Sequence, residues 1–138
     1  MNLVFFTDRD LGKQFPEILR SSGLTVERHH DHFAPNASDE TWLEAAGQRG
    51  WIALTHDRQI RSKPNERAAV MQFGVALLVI IGKAPHPELA RSFVATLPRV
   101  QRFVASHTPP YIAKVYQPSP AEAARGETAG RIELWHPR

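Results

Sequence analysis

Leu3-Val4-Phe5-Phe6-Thr7-Asp8-Arg9-Asp10-Leu11 opens with a run of apolar, strand-forming residues that ends abruptly on an acidic corner. Such a run bounded by polar residues predicts a buried strand. Beyond it, Leu11, Phe15, Ile18 and Leu19 recur at helical spacing and predict a helix over Leu11–Arg20. Gly23 then stands at a helix C-cap position, and Leu24 to Arg28 predicts a second strand through the alternation of Leu24 and Val26. Strand, helix, strand is the start of a parallel arrangement, because parallel neighbours need a crossover.

The same alternation continues along the chain. His29 to Ala37 reads as a polar loop. Ser38 caps a predicted helix with Asp39 and Glu40 in its first turn and Trp42, Leu43, Ala45 and Ala46 as its apolar face; Gly47 and Gly50 close it. Trp51–Thr55 and Val75–Ile81 are continuous apolar runs of the kind buried on both faces. Between them, Ser62, Pro64 and Glu66 mark the start of a helix that ends at Gly74. Pro87–His107 is helical in pattern, with Pro98 expected to kink or split it. Tyr111–Tyr116 predicts a fifth strand, and Arg131–Trp135 either a short added strand or an ordered tail. The fold class is therefore α/β: one domain with a mostly parallel central sheet of about five strands flanked by helices. Residues 1–117 form the domain and 118–138 a C-terminal extension, an added edge strand or ordered tail.

Composition sets the outer limits. A chain of 138 residues with 42% apolar and 22% charged residues fits one globular domain and excludes a disordered or fibrous class. The longest apolar stretch, Val75–Ile81, is too short to cross a bilayer, and the N-terminus reads as a strand, not as a secretion signal. The absence of cysteine removes disulfides, thiolate metal sites and a Cys nucleophile, in agreement with a cytoplasmic location. A formal charge of +3 and a pI near 9.7 make a polyanionic partner plausible without specifying one.

Chemistry concentrates at one edge. Asp8 and Asp10 follow the first strand and Asp57 follows Trp51–Thr55, so these carboxylates fall at the carboxyl edge of a parallel sheet, where ligands bind in such folds. Asp39 and Glu40 begin the helix that feeds the second of these strands. Any one of them alone reads as a helix cap or turn residue. Together they read as a site for a hard cation, because Mg²⁺ and Mn²⁺ take oxygen ligands and assist phosphodiester cleavage. Thr7 and Thr55 stand beside them as candidates to orient ligands or waters.

Phe5-Phe6-Thr7-Asp8-Arg9-Asp10-Leu11, Ser38-Asp39-Glu40-Thr41-Trp42-Leu43 and Gly50-Trp51-Ile52-Ala53-Leu54-Thr55-His56-Asp57-Arg58-Gln59-Ile60 resemble, in order and spacing, the three acidic blocks of PIN-like domains in bacterial VapC-type toxins. The resemblance covers roughly residues 1–116. It implies a PIN-like fold, a Mg²⁺- or Mn²⁺-dependent endoribonuclease, an RNA substrate and a cognate antitoxin protein, with a homodimer or a toxin–antitoxin hetero-oligomer as the assembly. It also implies roles: Asp8, Asp39 and Asp57 as catalytic carboxylates, and Asp8, Asp39, Glu40 and Asp57 as the metal-ligand set, Asp39 or Glu40 filling the middle position. The chain departs from the family's longer form, where a further acidic residue follows the third block; Arg58, Gln59 and Ile60 stand there, which leaves the metal count open.

Arg58, Arg61, Lys63 and Arg67 follow the last acidic block and read either as RNA-backbone contacts or as a solvated basic helix start. Lys63 opposes the dipole of the helix it precedes, so something other than helix stability holds a cation there. His30 and His32 are further candidate RNA contacts. With His29 they also raise a zinc reading, which three imidazoles on one short loop serve poorly. Trp42 and Trp51 read as core. Two rivals remain: a catalytically weak PIN-like interaction module, supported by the missing acidic residue, and a phospho-receiver-like domain. The second is poorly served by Gly82 after the fourth strand and Lys114 inside the fifth.

Overall fold

The computed structural model describes residues 2–137. Six strands form one sheet: β1 (Val4–Thr7), β2 (Thr25–Arg28), β3 (Ile52–Thr55), β4 (Ala76–Ile81), β5 (Tyr111–Tyr116) and β6 (Ile132–His136), in spatial order β2-β1-β3-β4-β5-β6. The first five run parallel, and β6 returns antiparallel along β5. The helices are α1 (Gln14–Ser21), α2 (His29–His32), α3 (Asp39–Arg49), α4 (Pro64–Phe73), α5 (His86–Ser106) and α6 (Pro120–Ala124). The α/β class and the mostly parallel sheet are as the sequence predicts, and Arg131–Trp135 resolves as the added edge strand.

Successive residues of a strand point to opposite faces, so the continuous apolar runs build two cores. Phe5, Leu54, Leu78 and Ile80 pack under α1 and α5 with Phe15, Leu19, Phe93 and Val100. Phe6, Ala53, Leu77 and Val79 face α3 and α4 with Trp42, Leu43, Trp51 and Val70. Phe6 stacks between Trp51 and Trp42 at ring-centroid distances of 5.5 and 5.4 Å, and both tryptophans are buried as expected of core residues.

Three local expectations change. The helix expected from Leu11 is interrupted: Arg9–Leu11 is a single 3₁₀ turn started by the Asp8 carboxylate, the chain swings through Gly12 at φ 71°, and α1 begins only at Gln14. His29–His32 forms one helical turn instead of loop, packed by the buried His29 ring against Phe6 and Phe33. Pro98 does not split α5, which runs unbroken with the proline exposed on its outer side. A surface proline leaves one carbonyl unpaired towards water without breaking the packed face.

Gly47, taken above as part of a helix end, lies inside α3, which ends at Gly50. It is a contact point: a Cβ there would sit 2.1 Å from the Phe73 carbonyl oxygen. Gly47→Ala is therefore expected to push α3 off α4 and cost about 3 kcal/mol. A urea titration checks this, and an unchanged midpoint would mean that the two helices separate without cost.

Candidate functional site

In the order β2-β1-β3-β4-β5 the chain moves outward from β1 to β2, then crosses back to β3 on the other side of β1. The crossover leaving β1 through α1 lies on one face, and the crossover leaving β3 through α4 lies on the other. The carboxyl ends of β1 and β3 therefore border the crevice that this topology opens. Asp8 and Asp10 stand at the end of β1, and Thr55, His56 and Asp57 at the end of β3.

Asp8 is 5% exposed. Its backbone N–H continues the sheet by donating to Leu54 O (2.9 Å), and Oδ1 caps the following turn by accepting from Arg9 N (2.7 Å). The Thr55 hydroxyl lies 2.9 Å from Asp8 Oδ2 and 3.2 Å from Asp10 Oδ2, so its one proton serves two carboxylates. Asp10 also accepts from the His56 backbone N–H, at 3.1 Å to each oxygen. Burial, then the neighbouring Asp10 and Asp39 charges, pushes the Asp8 carboxyl up to about 7, against the pull of the Thr55 and Arg9 hydrogen bonds. Burial also raises Asp10 above the usual carboxylate range. Among the described residues neither carboxylate forms an ion pair, although the His56 charge acts on Asp10, and the two are thus held together in a poorly solvated place.

The other acidic residues divide. Asp57 accepts from Gln59 N (2.9 Å) through one oxygen and from the Lys63 ammonium (2.6 Å) through the other, while its own N–H donates to Thr55 Oγ1 (3.2 Å). Asp39 accepts from the Trp42 indole N–H (3.0 Å) and is near enough for its charge to act on Asp8. The start of α3 is brought there by Arg9, whose guanidinium donates to the carbonyls of Pro35 and Ala37. Glu40, one residue along the helix from Asp39, lies elsewhere: it lines a groove of about 370 Å³ between α3 and α4 with Glu44, Asn65 and Gln72. Among the described residues no group of three or more His, Asp or Glu side chains has converged to hold a metal.

An open cavity of about 290 Å³ reaches Asp8 from the β2 side, lined by Thr7, Arg9, Gly12, Lys13, Arg28, His29 and His30. His30 is exposed on it, whereas His32 is turned away, its ring bonded to Glu27 (2.9 Å) and near Trp51. Burial lowers His29, the third imidazole, and leaves its Nε2 without a hydrogen-bond partner among the described residues. Across the crevice the His56 ring meets the Ile80 carbonyl through Nδ1 (2.8 Å) and lies edge-on to His86. Arg58 and Arg67 are exposed, while Arg61 donates to the Trp135 carbonyl (3.2 Å) with its guanidinium over the Trp135 ring.

Sequence reasoning placed Asp10 at this edge but left it out of the ligand set, where the geometry pairs it with Asp8. It also passed over Arg9, whose role depends on a loop 26 residues away. The position of Asp10 two residues after Asp8 was the available signal.

A doubly wound α/β domain with a carboxylate-lined crevice at the switch point is the class that this fold and site define. The chain belongs to the PIN-like domain family: a family model described as PIN like domain matches residues 3–82, more than half of the chain. Comparison with curated proteins yields no match, and neither does comparison with solved structures. No helix among the described residues is long and apolar enough to cross a membrane.

Proposed function

We propose that the crevice is the metal centre of an endoribonuclease, cutting RNA phosphodiester bonds with Mg²⁺ or Mn²⁺, and that the protein is the toxin of a toxin–antitoxin module. The observation that carries this reading is the Asp8/Asp10 pair, the first buried and the second half-buried, sharing a single hydroxyl proton and forming no ion pair among the described residues. The donor set fits a hard divalent ion, which needs only one or two carboxylates and keeps several waters. When bound, such an ion supplies a Lewis acid that stabilises charge developing on the phosphoryl oxygens.

The residues of the chain do the rest. Asp8 and Asp10 hold the ion, and Thr55 fixes their rotamers. Asp39 serves as the middle acidic residue in preference to Glu40, which lines the separate α3–α4 groove. Asp57 completes the edge together with Lys63. Lys13 and His30 on the cavity wall, with the exposed Arg58 and Arg67, contact RNA phosphates. Arg61 holds the C-terminal strand against the site loop, and His32, bonded to Glu27, takes no part in the RNA contacts. A cognate antitoxin covers the acidic crevice with a basic segment, and the protein works in the cytoplasm as a homodimer or within a toxin–antitoxin hetero-oligomer.

Purified protein is expected to cleave a mixed RNA pool with Mn²⁺ or Mg²⁺ and to stop on addition of EDTA, with the folded Asp57→Asn variant inactive. Cleavage that persists in EDTA, or none with any divalent ion, would remove the nuclease reading. One observation favours a non-catalytic interaction module: Asp57 and Asp39 already have hydrogen-bond donors, and no three-residue ligand group has formed among the described residues. Failure of Mn²⁺ to bind would select that reading. A phospho-receiver-like role is disfavoured because Lys114 is engaged with Glu133 (3.8 Å) and the Trp135 ring on β6.

A further inference from the structure

Lys63 stands at the N-cap of α4, where the helix dipole disfavours a cation. Its ammonium is instead held by charge: Asp57 Oδ2 is 2.6 Å away, and the negative charges of Asp39 and Glu66 also act on it. The acidic edge thus has two halves. The outer half, Asp57 with Asp39 nearby, already holds a cation of the chain's own. The inner half, Asp8 and Asp10, has hydroxyl and backbone donors but no ion pair among the described residues.

We propose that Lys63 is the resident cation of the outer half, so that the crevice takes one divalent ion, at Asp8 and Asp10, with the ammonium in the place a second would fill. The inference rests on the metal-site reading above. Two-metal phosphodiesterases use their second ion to neutralise charge on the phosphoryl group and leaving oxygen. An ammonium supplies the same sign of charge and three N–H donors, of which Asp57 takes one. The Lys63 side chain is 41% exposed, so the remaining donors face solvent, where a phosphate oxygen of the substrate can meet them. The Asp57 side chain is only 22% exposed, and both of its oxygens accept hydrogen bonds, so a second metal ion would have to displace the ammonium. Asp57 therefore acts by positioning Lys63, and the missing fourth carboxylate after the third block follows from the same arrangement.

The test is Mn²⁺ binding to the full chain at neutral pH, followed by the loss of the free-ion signal in electron paramagnetic resonance, with no RNA present. The wild type is expected to bind about one ion per chain, Lys63→Arg the same, and Lys63→Met about two, because Asp57 is then released as a ligand. Asp57→Asn is expected to keep the single ion at unchanged affinity while losing cleavage. Two ions on the wild type, one ion on Lys63→Met, or loss of the ion in Asp57→Asn would each overturn the assignment of Lys63. No ion on the wild type would instead overturn the metal-site reading itself.

Discussion

Asp8→Asn is expected to lower RNA cleavage by roughly a hundredfold or more while leaving the chain at least as stable at neutral pH. The two effects share one cause. Ionised Asp8 sits where burial and the Asp10 charge oppose it, so the folded state takes up a proton that the unfolded state has already released. With the folded pKa raised from 3.8 to about 7, the folded chain binds more protons between those values, and stability falls as pH rises through that window. Between pH 5 and pH 8 the expected loss is roughly 2–3 kcal/mol, or about 10 °C in melting temperature. Asparagine retains the oxygen that caps the turn at Arg9 and carries no charge, so this part of the fall disappears.

Thermal melts in EDTA at the two pH values check the prediction, read as the difference between wild type and variant so that the histidines cancel. Parallel profiles would mean that Asp8 is well solvated. Excess Mn²⁺ should raise the wild-type melting temperature at pH 8 and leave Asp8→Asn nearly unmoved, since a ligand stabilises only the state that binds it.

Removing residues 118–138 is expected to leave a chain that is insoluble or unfolded at 37 °C. The segment is tied to β5 and α5 by three hydrogen bonds. Tyr116 N–H donates to Arg131 O (2.8 Å), Arg99 donates to Gly130 O (2.6 Å), and Gly130 N–H reaches the buried Thr96 hydroxyl (2.8 Å). Gly130 passes so close to β5 that an added Cβ would fall 1.5 Å from the Tyr116 carbonyl oxygen. Ile132 and Leu134 extend one core, and Trp135 extends the other beneath Arg61. Losing these apolar contacts and baring the edge of β5 costs about 5 kcal/mol, comparable to the whole stability of an ordinary domain. Soluble yield and the circular-dichroism melt of the shortened chain decide the matter; an unchanged melt would make β6 dispensable.

The expected break between residues 117 and 118 followed a real change in composition, as proline and small polar residues take over from an apolar strand. There the chain leaves β5 and enters α6. Whether the chain beyond β5 docks or trails depends on contacts such as Thr96 to Gly130, and no local pattern in either stretch carries them.

The sequence by itself determined the alternation of strands and helices, the near-complete burial of β3 and β4, and the acidic edge after β1 and β3. These are local signals: a strand buried on both faces must be apolar throughout, and the first polar residues after it mark where it leaves the core. Only the tertiary structure decided which carboxylates meet. Asp39 and Glu40 are neighbours in the chain, yet one residue turns a helix by about 100°, so one acts on Asp8 and the other faces α4. Asp10 joined the site through the His56 backbone 46 residues away, and Lys63 found its reason in Asp57. The register of β1 against β3 and the packing of α3 over their ends set these meetings, and both arise from cores built by residues distant in sequence.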